Sequence, residues 1–143
     1  MAEWCDKYYV EIWAWCLIPN HIHLIAVPEP EEGLARAIGK AHRRYTRRIN
    51  FSEKWRGHLW QERFASFSMD DSYLFTAARY VEMPPVTAGI VALPQEYSWS
   101  SAKAHLLAQD DTLVKVKPLI LDRQLGQFSI HCIRRRNDNL PQT

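Results

Sequence analysis

Two histidines, His21 and His23, stand two residues apart in the run Pro19-Asn20-His21-Ile22-His23-Leu24-Ile25, which is otherwise apolar and β-prone. Strand side chains alternate between faces, so both imidazoles project from one side with their bases roughly 7 Å apart. From there their nitrogens can converge on one divalent ion. A histidine in a strand is also commonly a hydrogen-bonded core residue, and the pair by itself leaves both readings open. The pair gains chemical specificity once a nucleophile can be brought to it. Tyr80, in Ala78-Arg79-Tyr80-Val81-Glu82, is one candidate among six tyrosines. A phenol with an ordinary pKa of about 10 can attack a phosphodiester when a metal ion polarises the phosphate and stabilises the developing charge. Spacing alone equally allows Tyr80 a packing role.

A second kind of chemistry lies in the charge distribution. The chain carries a formal net charge of only +2, with 24% charged residues, so overall charge decides nothing. Six of its 18 basic residues, however, fall between Gly33 and Asn50, a stretch without a single acid: Arg36, Lys40, Arg43, Arg44, Arg47 and Arg48. Such a face is either simply solvated or tracks phosphates. Downstream, Trp55 and Trp60 alternate with Lys54, Arg56 and His58. Aromatic rings interleaved with cations suit single-stranded bases, and suit a small satellite core equally well.

The elements that must position these residues follow from pattern. Tyr8 to Ile18 and Ile22 to Val27 are β-branched and aromatic runs on either side of Pro19-Asn20, which predicts a hairpin. Leu34, Ile38, Ala41, Tyr45 and Ile49 recur at helical spacing, so a helix over 34–49 puts the basic residues on its remaining faces. Phe51 to Glu62 reads as a loop and Arg63 to Met69 as a short strand. Asp70-Asp71-Ser72 then caps a helix from Tyr73 to Glu82, and Pro84-Pro85 should push Met83 out of the helical region. Ala102 to Ala108 looks helical. Beyond Asp110-Asp111 the pattern weakens, and Arg134 to Thr143 reads as a frayed tail.

Length and composition bound the answer further. With 143 residues, 47% of them hydrophobic, the chain is sized for one domain with a sizeable core. Three cysteines, an odd count without a closely spaced pair, read as reduced thiols of a cytoplasmic protein. No apolar run approaches a membrane span, and the first residues lack the pattern of a signal peptide.

Several separated blocks then carry a resemblance. Trp15-Cys16-Leu17-Ile18-Pro19-Asn20-His21-Ile22-His23-Leu24 resembles the histidine-hydrophobe-histidine motif of single-tyrosine transposases, in particular the REP-associated tyrosine transposases of the insertion sequence 200-like group. Leu59 to Phe64 resembles that group's next block. Arg79-Tyr80-Val81-Glu82 with Pro85-Val86-Thr87-Ala88-Gly89 resembles its catalytic-tyrosine block, and Pro94, Tyr97, Trp99, Ser100 and Ser101 the segment after it. The likeness spans roughly Trp4 to Leu107.

The resemblance implies an α+β fold, a ferredoxin-like sandwich of antiparallel sheet and helices. It implies Mg²⁺ or Mn²⁺ held by His21 and His23, and Tyr80 as the nucleophile that cleaves single-stranded DNA near a hairpin through a 5′-phosphotyrosine. Arg36, Lys40, Arg43, Arg44, Arg47, Trp60 and Arg63 become the expected nucleic-acid-binding residues. Two departures stand out. Family members place Asn or Gln four residues after the nucleophile as a third metal ligand, where this chain has Pro84. They also begin with a strand and most of a helix ahead of the region matching Trp4, so a sheet lacking its interior first strand is expected, with exposed edges that favour a homodimer. On this reading 1–110 is a shortened transposase domain and 111–143 a poorly defined C-terminal extension. A catalytically inactive single-stranded-DNA-binding remnant is the alternative, and a nuclease in which the ion activates water is a third.

Overall fold

The computed structural model describes residues 1–60, 64–121 and 128–134. The hairpin that carries the histidines is β1 (Val10–Ile18) and β2 (His21–Pro28), antiparallel and joined by Pro19-Asn20 alone. A β-bulge at Trp13 shifts the register between Ile12, opposite Ala26, and Ala14, opposite Ile25. One extra residue exchanges the faces taken by alternate positions. Val10 and Ile12 therefore pack on one side of the sheet with Leu24 and Ala26, while Ala14 and Cys16 pack on the other with Ile25. His21 and His23 share the parity of Ile25 in β2, which places them on that second face.

Helices cover both faces. On the first, α1 (Ala2–Lys7) and α2 (Gly33–Ser52) bring Cys5, Leu34, Ala37 and Ile38 against Val10, Ile12, Leu24 and Ala26. The helical spacing of those α2 residues is what leaves its other faces to the basic side chains. Gly33 is needed at the start of α2, because a β-carbon there would lie 2.6 Å from the carbonyl oxygen of Tyr8. The second face belongs to α3 (Leu74–Glu82), whose Leu74, Ala77 and Val81 meet Trp13, Ala14, Cys16 and Ile25.

Asp70 starts α3 as expected: its carboxylate accepts a hydrogen bond from the Ser72 N–H at 3.0 Å, and one 3-10 turn leads into the helix. The expectation for Met83 is corrected. It stays helical at φ −83° and ψ −17°, and Pro84 opens a further short helix, α4 (Pro84–Thr87). Proline is tolerated at a first helical position, where its missing N–H and fixed φ cost nothing. What the two prolines do is interrupt the ladder, since neither can donate to the carbonyls of Tyr80 and Val81.

The remaining strands are β3 (Ala65–Met69) and β4 (Phe128–Arg134), in the antiparallel sheet order β1-β2-β4-β3. The expected interior gap is therefore filled: β4 pairs with β2 on one side and β3 on the other, with Cys132 opposite both His23 and Ala65. The chain beyond residue 110 also reaches the sheet at Val114, which bridges to Ile12. Residues 135–143 of the expected tail lie outside the described residues. The outer edge of β1 is covered in turn, as Leu17 N–H donates to Trp99 and Ser101 N–H to Trp15, at 2.8 and 2.9 Å. α5 (Ala102–Leu107) follows that contact, and α6 (Lys117–Leu121) adds Leu119 to the α3 side of the core. Among the described residues no helix is long and apolar enough to cross a membrane.

Candidate active site

Three rings meet on the α3 face of the sheet. His21 and His23 lie edge to face, their centroids 4.5 Å apart, and the Tyr80 ring stands 5.4 Å from His23 at 79°. Leu74, Ala77 and Val81 anchor α3, and Tyr80, one position off that stripe, projects at the rim of the contact. Its exposure of 62% against 3% for His23 leaves the phenol open to a macromolecule while the imidazole is enclosed.

Burial lowers the pKa of His23 to about 4, with the neighbouring His21 a smaller cause, so the ring is neutral at physiological pH. Its Nδ1 is buried and makes no hydrogen bond among the described residues. His21 is oriented by Asn20, whose Oδ1 lies 2.6 Å from Nδ1; an amide oxygen only accepts, so Nδ1 holds a proton. A neutral imidazole with an unbonded buried nitrogen, as at His23, fits a divalent ion. The chain supplies few further donors: among the described residues no group of three or more His, Cys, Asp and Glu could hold a metal ion. Pro84 has no ligating side chain, and hard cations with few protein ligands complete their shell with water and phosphate oxygens.

The basic face is present and partly neutralised. Arg36, Lys40, Arg43, Arg44 and Arg47 are all exposed on α2. Arg36 is paired with Glu32 at 2.5 Å and Arg44 with Glu3 at 2.7 Å, both acids lying outside the acid-free stretch. Lys40, Arg43 and Arg47 make no ion pair among the described residues. Trp60 is half-buried, stacked on His42 with centroids 4.1 Å apart and packed against the α2 core, so its ring serves the interior. Arg63 lies outside the described residues. A cleft beside the end of α2 is lined by Asn50, Trp55, Arg56, His58 and Leu59, side chains whose alternation of ring and cation was visible in sequence but whose grouping was not.

Glu82 takes a place that spacing did not reveal. It turns away from the histidines and accepts hydrogen bonds from Ser101 Oγ at 2.5 Å and from His105 Nδ1 at 2.6 Å. Its two partners lie 19 and 23 residues further along the chain.

Comparison with known proteins decides the family. The family described as Transposase IS200 like matches residues 1–84. The chain belongs to the IS200-like transposases. A protein of Haemophilus influenzae that carries the name REP-associated tyrosine transposase is 30% identical over 121 residues, covering 74% of this transposase and 69% of the relative. No solved structure matches.

Proposed function

We propose that this transposase cleaves and rejoins single-stranded DNA beside hairpins, with Tyr80 as nucleophile and His21 and His23 as ligands of Mg²⁺ or Mn²⁺. The observation that carries the reading is the convergence of the three rings, 4.5 and 5.4 Å apart, in a chain of this family. The Tyr80 oxygen attacks the scissile phosphorus, forming the bond to the 5′ phosphate as the bond to the 3′ oxygen breaks. The phenol gives up its proton as it attacks, and the departing 3′ oxygen takes one up from solvent and remains as a hydroxyl. Rejoining is the reverse, a 3′ hydroxyl attacking the phosphotyrosine and returning the phenol. A bound divalent ion supplies charge neutralisation at the phosphate. His23, enclosed and neutral, holds its lone pair ready for that ion, while Asn20 fixes the tautomer of His21. The exposed Lys40, Arg43 and Arg47 hold the strand through its phosphates. Self-association belongs to the same reading: β3 is the outer strand of the sheet, its Phe67 is exposed, and such edges pair with other strands.

A single experiment tests it. A hairpin with single-stranded flanks, incubated with the protein and Mn²⁺, should yield a denaturant-resistant protein–DNA adduct that disappears in Tyr80→Phe and falls steeply in His23→Ala. The non-catalytic reading is favoured by Pro84. It wins if the hairpin binds and no adduct forms, and cleavage that survives Tyr80→Phe would assign the attack to water instead.

A further inference from the structure

We propose that Glu82, gripped by Ser101 and His105, is a positioning residue that sets the rotation of α3 about its axis and so aims Tyr80 at His23; this rests on Tyr80 being the nucleophile. The cluster is built rather than incidental. The Glu82 and His105 side chains are only 15% and 16% exposed, and a carboxylate so enclosed is retained when its hydrogen bonds are satisfied. An ionised carboxylate only accepts, so His105 carries its proton on Nδ1 and donates it, leaving Nε2 buried and without a partner among the described residues. Ser101 donates to Glu82 and also accepts from the Trp15 N–H at 2.9 Å, which fastens α3 to β1 as well as to α5. The Cys16 thiol, which also faces Glu82, is pushed up to about 12 by burial and by that carboxylate, and stays uncharged.

The stripe of Leu74, Ala77 and Val81 sets which face of α3 meets the sheet, and it lies along one side of a short helix. Glu82 stands two residues after Tyr80, on a different side of the helix, and adds a second hold to that of the stripe. A side-chain tip sits about 5–6 Å from a helix axis, so a rotation of roughly 10° displaces it by about 1 Å, enough to cost on the order of 100-fold in rate.

The test compares Glu82→Ala, His105→Ala, the double variant and Glu82→Gln in the full chain. Adduct formation at saturating DNA should slow by about 10- to 100-fold in Glu82→Ala and His105→Ala while hairpin affinity stays within about twofold, and the double variant should be no worse than the single ones. Glu82→Gln keeps an acceptor oxygen and should recover most of the rate. Fluorotyrosine incorporated into the protein gives a readout that needs no activity. The Tyr80 fluorine resonance, assigned by its loss in Tyr80→Phe, should shift or split in Glu82→Ala and return in Glu82→Gln. Wild-type protein that forms no adduct would overturn the proposed reaction, and the fluorine signal would still judge the aiming role. An unmoved Tyr80 resonance in folded Glu82→Ala overturns the positioning proposal. So does an unchanged cleavage rate where the wild type cleaves.

Discussion

Pro84 stands one helical turn beyond Tyr80 as the first residue of α4. An asparagine there would add an amide oxygen on the nucleophile's side of the helix and an N–H able to reach the Tyr80 carbonyl. Pro84→Asn should therefore raise divalent-ion affinity, read by calorimetric titration, for a stability loss of about 1 kcal/mol or less from the lost proline. Unchanged ion affinity in the folded variant would show that the site does not lack a ligand at this position. A second residue-level expectation concerns His42, whose pKa burial lowers to about 4. The unfolded chain binds a proton at this histidine near pH 6.5 and the folded chain does not, so stability is lost as pH falls from about 6.5 towards 4, by up to roughly 3 kcal/mol. His42→Phe, keeping the stack on Trp60, should flatten the decline of Tm over that window; an equally steep decline would place the proton uptake elsewhere. The shared face of His21 and His23 was legible because strand alternation is a local rule, whereas Tyr80 was singled out by the resemblance, its place on a capped helix alone allowing a packing role. Glu82 was not legible as a tether, since its partners Ser101 and His105 are set by tertiary packing.

At the scale of elements, α2 shows how periodicity can place charges without saying which of them are free. The 34–49 expectation sits inside the observed Gly33–Ser52, and the apolar stripe faces the sheet as its spacing requires. What the stripe could not show is that Glu3, in α1, reaches Arg44 across the packed helix pair. Charges already opposed by acids neutralise phosphates less well, because the acid must be displaced or repelled first. The triple change Lys40→Ser, Arg43→Ser and Arg47→Ser should therefore lower hairpin affinity and flatten its salt dependence, by about 0.7 in log–log slope for each lost phosphate contact to a single strand. The pair Arg36→Ser and Arg44→Ser should change the slope much less. Equal slopes in the two variants, measured by fluorescence anisotropy across a salt series, would count against this division of the face. Trp60 carries a related lesson: an aromatic among cations matched a base-stacking pattern, and what that pattern did not show is that its half-buried ring stacks on His42 and packs against the core.

For the whole molecule the decisive element is β4, which makes β2 an interior strand. Without it the strand bearing His21 and His23 would have one unpaired side, and β3 no partner at all among the described strands. Pattern could not foretell this, because a seven-residue segment pairs with strands about 60 and 100 residues away and nothing local specifies such a long closure. The α+β class came from the resemblance, and the hairpin, basic helix and capped helix that agree with it each announced themselves locally. The arrangement predicts that the candidate site depends on the far end of the chain. Proline at position 130, whose residue is paired with Ile25 on one side and Phe67 on the other, removes a donor from the middle of the sheet. Ile130→Pro should cost roughly 3 kcal/mol, lower the Tm, and speed hydrogen exchange at the backbone amides of His23 to Ala26. It should also weaken divalent-ion binding, although the substitution touches neither histidine. If exchange in β2 and ion binding both hold steady in Ile130→Pro, β4 does not support the histidine strand and the sheet closes in another way.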